Sequence, residues 1–195
     1  MHRRTFGKSI IGRLAPALLC AALALAPARA QPAVDSAPAS ALEMQVIAAS
    51  LFRFLGYVEW PPQALPPGAP YVIGIIGADA IAEELAAVAA SRTINERAVM
   101  VRRLKPGEQF DGVHELFVSG TVASRQQAIQ AARQLPALIV THAEGALDRG
   151  SMINFRLVDG RLRFEVALDA MDEAGLKVSS RMLSVALHVR KSQGR

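Results

Sequence analysis

The stretch Ser151–Leu168, SMINFRLVDGRLRFEVAL, decides the fold. Asp159-Gly160 stands between two alternating runs, and an Asp-Gly pair in that setting predicts a two-residue type I′ hairpin turn, which needs positive φ at both central residues. A turn of that length also sets the register. Leu157 then faces Leu162, Phe155 faces Phe164 and Ile153 faces Val166, all on one apolar side. The other side carries Arg156 opposite Arg163 and Asn154 opposite Glu165. The apolar side demands a core from the rest of the chain, and the polar side poses the functional question.

Working outward, the chain before the hairpin alternates strand-like and helix-like segments. Tyr71–Gly77 (YVIGIIG) is a continuous apolar run, as expected of a strand buried on both faces. A helix over 79–91, with Asp79 as its cap, leads to a strand over 98–104 that the Lys105-Pro106-Gly107 turn ends. A strand over 114–119, a helix over 122–134, a strand over 137–141 and a short turn or helix over 143–148 complete the approach to the hairpin. Gly175 interrupts the chain before a last helix from Ser179 to Val189. Upstream, Ser40 and Glu43 form a capping box, and Met44, Ile47, Ala48, Leu51, Phe54, Leu55 and Val58 make one helical stripe that ends before Trp60-Pro61-Pro62. Phe52, Tyr57 and Trp60 read as core aromatics. Strands alternating with helices of this length predict right-handed parallel βαβ units. The expected architecture is α/β: a single three-layer sandwich over 40–190, a mostly parallel sheet with flanking helices and a C-terminal antiparallel hairpin whose outer edge stays open.

The first 30 residues read as a segment to be removed. A basic start over 1–13, an Ala/Leu-rich run over 14–27 and Ala28-Arg29-Ala30 have the three parts of a secretory signal peptide, and the apolar run is too short to span a membrane. Arg3-Arg4-Thr5-Phe6-Gly7-Lys8 resembles the twin-arginine export motif, so either that route or the general secretory route is open. Residues 31–39 (QPAVDSAPA) read as a disordered leader. Five of the 22 basic residues lie in the first 30, and 17 basic remain against 17 acidic, which removes the case for a nucleic-acid partner. The only cysteine, Cys20, leaves as well, so a periplasmic chain folds here without a disulfide.

No enzyme motif emerges. Gly74 and Gly77 fit neither a dinucleotide fingerprint nor a phosphate loop, no G-x-S-x-G elbow is present, and His114-Glu115 lacks the second histidine of a zinc protease. Neither a metal site nor a cofactor is expected. Two candidate sites remain. Asp79, Ser119, Thr121, Thr141 and His142 fall at the carboxyl ends of the predicted strands, where an open α/β sheet holds small ligands. Asn154, Arg156, Arg163 and Glu165 form the hairpin's polar face, where a diagonal Glu165–Arg156 pair offsets two facing arginines. That face, or the edge beside it, suits an acidic or strand-presenting partner.

The chain also resembles the YfiR family of periplasmic regulators over nearly the whole mature length. The resemblance rests on Tyr57-Val58-Glu59-Trp60-Pro61, Ile73-Gly74-Ile75-Ile76-Gly77, Leu138-Ile139-Val140, Gly150–Phe155, Arg163-Phe164-Glu165-Val166 and Gly175–Leu183. It implies an α/β domain that dimerises and a non-enzymatic role: binding the periplasmic part of an inner-membrane diguanylate cyclase and holding it inactive. It further implies that an OmpA-like outer-membrane lipoprotein sequesters the repressor, which links the envelope to cyclic di-GMP and biofilm formation. Ala167 stands where the family pattern has Asn, and the disulfides of the best-known member have no counterpart here. A periplasmic small-molecule binding module feeding a membrane sensor is the alternative.

Overall fold

The computed structural model describes residues 40–191. The chain opens with α1 (Ala41–Phe54), started by the expected capping box. Glu43 N–H donates to Ser40 Oγ at 3.2 Å, and Ser40 N–H donates to Glu43 Oε2 at 2.9 Å. The helix stops at Phe54, short of the expected end, and Val58–Glu59 is instead a two-residue strand, β1. Then follow β2 (Tyr71–Ile76), α2 (Asp79–Ala89), β3 (Val99–Leu104), β4 (Glu115–Val118), α3 (Val122–Ala132) and β5 (Leu138–Thr141). A 3₁₀ turn over Leu147–Arg149 precedes the hairpin β6 (Ile153–Val158) and β7 (Arg161–Ala167). The chain closes with α4 (Leu168–Glu173), β8 (Lys177–Val178), α5 (Ser180–Val185) and β9 (His188–Arg190).

Seven strands form one sheet in the order β3-β2-β4-β5-β6-β7-β9. All neighbours are parallel except the β6–β7 hairpin. The crossovers β2–α2–β3 and β4–α3–β5 run in opposite directions from the centre, so right-handed connections put α2 and α3 on opposite faces. α1 packs beside α2 and lays Phe54 on the hairpin, 5.8 Å from the Phe155 ring and 5.2 Å from Phe164. This is the expected mostly parallel α/β sandwich.

The hairpin has the register read from the sequence, pair for pair from Ile153↔Val166 to Val158↔Arg161. Asp159 (φ +50°) and Gly160 (φ +71°) supply the two left-handed residues of the turn. Its apolar face is buried at Ile153, Phe155 and Val166 and half-buried at Leu162 and Phe164. At the tip it opens to solvent, where Leu157 is 56% exposed.

The C-terminus departs from expectation. The helix foreseen over 179–189 ends at Val185, because Ala186 turns to an extended ψ of 143°. The next residues become β9, parallel to β7 at Glu165↔His188 through Ala167↔Arg190. The outer edge of β7, expected to be open, is therefore covered over those residues. Arg190 fastens β9 to the body of the fold, donating to Asp148 Oδ1 at 2.8 Å and to the Leu147 carbonyl at 2.9 Å. β1 and β8 form a second, antiparallel sheet through Val58↔Val178 and Glu59↔Lys177. Among the described residues no helix is long and apolar enough to cross a membrane. The signal peptide and leader expected over 1–39 lie outside the described residues.

Candidate functional site

The two candidate sites take different shapes from those expected, and they meet. At the centre of the sheet the strand order reverses between β2 and β4, which brings Gly77–Asp79 beside Ser119–Thr121. The chain is pinched there. A Cβ added at Gly77, whose φ is +69°, would lie 2.9 Å from the Ser119 carbonyl oxygen. Ser119 N–H donates to the Ile76 carbonyl at 2.9 Å. The Thr121 hydroxyl serves as the N-cap of α3, accepting from Ser124 N–H at 3.2 Å. Asp79 is the exposed first residue of α2, and the cap position falls on Ala78, which offers no side-chain bond. Asp79 is thus not the cap that the sequence suggested.

One strand over, Thr141 and Asn154 are fully buried and bonded to each other. Thr141 Oγ1 donates to Asn154 Oδ1 at 2.9 Å, and Ala143 N–H donates to the same oxygen at 3.0 Å. Two donors on one atom assign it as the amide oxygen rather than the nitrogen. Ser151 completes the cluster, 2.8 Å from Thr141 Oγ1 and donating to the Ile153 carbonyl at 2.7 Å. Asn154 therefore does not belong to an exposed polar face, as its strand parity implied. The turn after β5 has closed over it.

That closure shapes what lies beside it. The β5–β6 ladder consists of Val140↔Ile153 and Thr141↔Asn154 and then stops, while β6 continues to Val158. In a continued ladder Ala143 N–H would reach the Phe155 carbonyl; its bond to Asn154 Oδ1 peels the chain away. The gap is a cavity of about 310 Å³ lined by His142, Ala143, Glu144, Phe155, Arg156 and Leu157. One residue of the expected crevice, His142, thus meets one of the hairpin face, Arg156. Asp79, Ser119 and Thr121 are not among its walls. Burial lowers the His142 pKa, against a smaller opposing pull from Glu43, so the imidazole is neutral near pH 7.

The half-buried pair on the hairpin face has the expected geometry. Arg156 Nη1 lies 3.5 Å from Glu165 Oε1, the diagonal pair that offsets the facing arginines. Among the described residues Arg163 and Arg161, both exposed, form no ion pair. A second groove adjoins the cavity through Leu157. It holds about 550 Å³ between the start of α1 and the hairpin tip, lined by Ser40, Leu42, Glu43, Val46, Leu157, Gly160, Arg161 and Leu162.

His114 and Glu115, weighed in the sequence only as part of a zinc motif, are buried titratable groups. His114 is held neutral by its partners: Nδ1 accepts from Val72 N–H at 3.0 Å and Nε2 donates to the Ala64 carbonyl at 3.1 Å. Burial lowers its pKa above all, opposed by the bond to Ala64 and reinforced by the positive Arg97. Its ring meets Trp60 and Tyr71 edge-on at 6.1 and 5.9 Å. Glu115 is fully buried on β4 with neither carboxyl oxygen hydrogen-bonded, and burial pushes its pKa well above the usual range. A Glu in an otherwise apolar run was the available signal. Among the described residues no group of three His, Cys, Asp or Glu side chains is placed to hold a metal ion.

The structure is a three-layer α/β domain with a cavity and a groove at one end of its sheet. The particular family follows from comparison: residues 44–187 match the YfiR/HmsC-like family model, and the chain belongs to that family. The family is a regulatory one, periplasmic and connected with cyclic di-GMP signalling. No curated protein matched the sequence. The fold is similar to the crystal structure of a conserved domain protein from Vibrio cholerae O1 biovar eltor, with a TM-score of 0.53 at 14% identity. The match covers 75% of this chain and 60% of that one.

Proposed function

We propose that this protein represses an inner-membrane diguanylate cyclase by binding its periplasmic part, and so lowers cyclic di-GMP and biofilm formation. The observation that carries the reading is the family match over 44–187. The exposed end of the hairpin, with Arg161, Arg163 and Leu157, supplies a surface suited to protein contact. In this reading the protein is exported on a cleaved signal peptide over 1–30, a leader follows over 31–39, and the domain over 40–190 acts as a non-catalytic homodimer. An OmpA-like outer-membrane lipoprotein competes for it.

The test is co-purification of the mature protein with the periplasmic domain of a diguanylate cyclase from the same genome, with cellular cyclic di-GMP measured after deletion. Complex formation and a rise in cyclic di-GMP are expected. Failure of both removes the reading. The cavity at His142 and Arg156 favours a second one, a small-molecule module feeding a membrane sensor. A thermal-shift screen that finds a tightly bound metabolite, with no cyclase complex, would select it.

A further inference from the structure

We propose that the β6 edge from Phe155 to Val158 is a strand-addition site for an extended, acidic and apolar segment of a partner protein. The inference rests on the regulatory-binding reading above and names the surface that reading leaves open.

Strand parity comes first. Ala167 N–H donates to the Met152 carbonyl at 2.8 Å, and Leu187 N–H donates to the Phe164 carbonyl at 2.8 Å. Even-numbered residues of β6 therefore bond to β7, and Ile153, Phe155 and Leu157 direct their backbone groups toward β5. Beyond Thr141↔Asn154 there is no β5 to meet them. The Phe155 carbonyl and both backbone groups of Leu157 face the cavity, with no strand on that side among the described residues. Donors and acceptors at strand spacing are matched by another backbone, the basis of recognition by strand addition. Four residues of edge span about 13 Å at strand rise.

The neighbouring groove says what that segment carries. Side chains on the α1 side of an added strand would meet Leu42, Val46, Leu157 and Leu162, of which Leu42 is 70% exposed. The opposite face of an added strand lies on the side of the hairpin shared by Arg156, Arg161, Arg163 and Glu165. With Glu144 of the cavity wall counted, three arginines stand against two carboxylates, so that face carries net positive charge and calls for a carboxylate. Asn154 acts as a positioning residue here: by holding Ala143 N–H it keeps β5 from occupying the slot.

The probe is a fluorescent eight-residue peptide alternating valine and glutamate, with two controls: lysine in place of glutamate, and alternate amides N-methylated. The acidic peptide is expected to bind at least tenfold more tightly than either control. Leu157→Pro removes an N–H that points away from β7, so the hairpin keeps its ladder while the edge loses a donor. It should cost at least tenfold in peptide affinity, as should Arg161→Glu. If Leu157→Pro fails to fold, the N-methylated series on the native protein decides. No binding by the acidic peptide, equal binding of the lysine version or indifference to N-methylation would overturn the proposal. So would a native dimer, lost in Leu157→Pro, that assigns the edge to a second copy. A cyclase-domain complex unaffected by Leu157→Pro would overturn it and leave the repressor reading intact. Peptide binding without any cyclase complex would do the reverse.

Discussion

Replacing Glu115 by methionine should stabilise this protein, and by an amount that grows with pH. Glu115 sits on β4 between Ile73 of β2 and Leu138 of β5, with no exposed surface and no hydrogen-bond partner for either oxygen. Burial alone raises its pKa. The folded chain thus keeps the proton at pH values where the unfolded chain has lost it. A carboxyl with a raised folded pKa contributes fully below its unfolded value, near 4.3, and the contribution declines as pH climbs toward the folded value. The slope for one proton is about 1.4 kcal/mol per pH unit. Even protonated, an unsatisfied buried polar group costs about 1–3 kcal/mol, which methionine of similar length avoids. Urea melts of the two proteins at pH 5, 6, 7 and 8 would separate these contributions. Glu115→Met should be the more stable at each pH, with a gap that widens by about 1.4 kcal/mol per unit until the folded carboxyl titrates. In thermal melts each kcal/mol corresponds to about 2–4 °C for a domain of this size. The difference between the two proteins cancels the contributions of His114 and His142, which are common to both. A gap that stays constant from pH 5 to 8, or a variant less stable throughout, would show that Glu115 has a stabilising partner and refute the argument.

Other outcomes follow from the same geometry. Asn154→Ala leaves the buried Ala143 N–H without its acceptor and should cost about 1–3 kcal/mol in a urea melt. Gly74→Ala places a Cβ 2.6 Å from Leu104 Cδ1 and 3.0 Å from Leu116 Cδ1, so overpacking should cost about 1–3 kcal/mol. Phe155→Ala, which removes a buried ring stacked on Phe54, should cost about 3–5 kcal/mol. The depressed pKa of His114 means its contribution is present above the unfolded value of about 6.5 and is lost as pH falls toward the folded value. His114→Gln should flatten the loss of stability between pH 6.5 and 5, and an unchanged profile would place the acid sensitivity elsewhere.

What could be read from the sequence was what adjacent residues decide. The Asp159-Gly160 turn and its flanking alternation carried the whole β6–β7 register, because both are local. The capping box at Ser40 and the apolar run of β2 are local in the same way. Apart from the one-residue shift of the α2 cap from Asp79 to Ala78, the misses depend on distant chain. Ala186 ends α5, and His188–Arg190 becomes a strand only because β7 has an edge to receive it. The two-residue strands β1 and β8 have no periodicity to detect and exist by pairing with each other. Asn154 shows the limit for sites most clearly: its parity places it with Arg156 and Arg163, but the turn after β5 buries it in a bond to Ala143. The strand-end crevice was half legible. His142 lines a cavity, while Ser119 approaches Gly77 too closely to leave a gap at the centre of the sheet.

The most direct measurement is a titration of the periplasmic domain of a diguanylate cyclase from the same genome with the mature protein, followed by native mass or light scattering. Cellular cyclic di-GMP would be measured in the same strain with and without the gene. A stoichiometric complex together with higher cyclic di-GMP in the deletion strain is the predicted result. An absent complex with unchanged cyclic di-GMP would contradict the account.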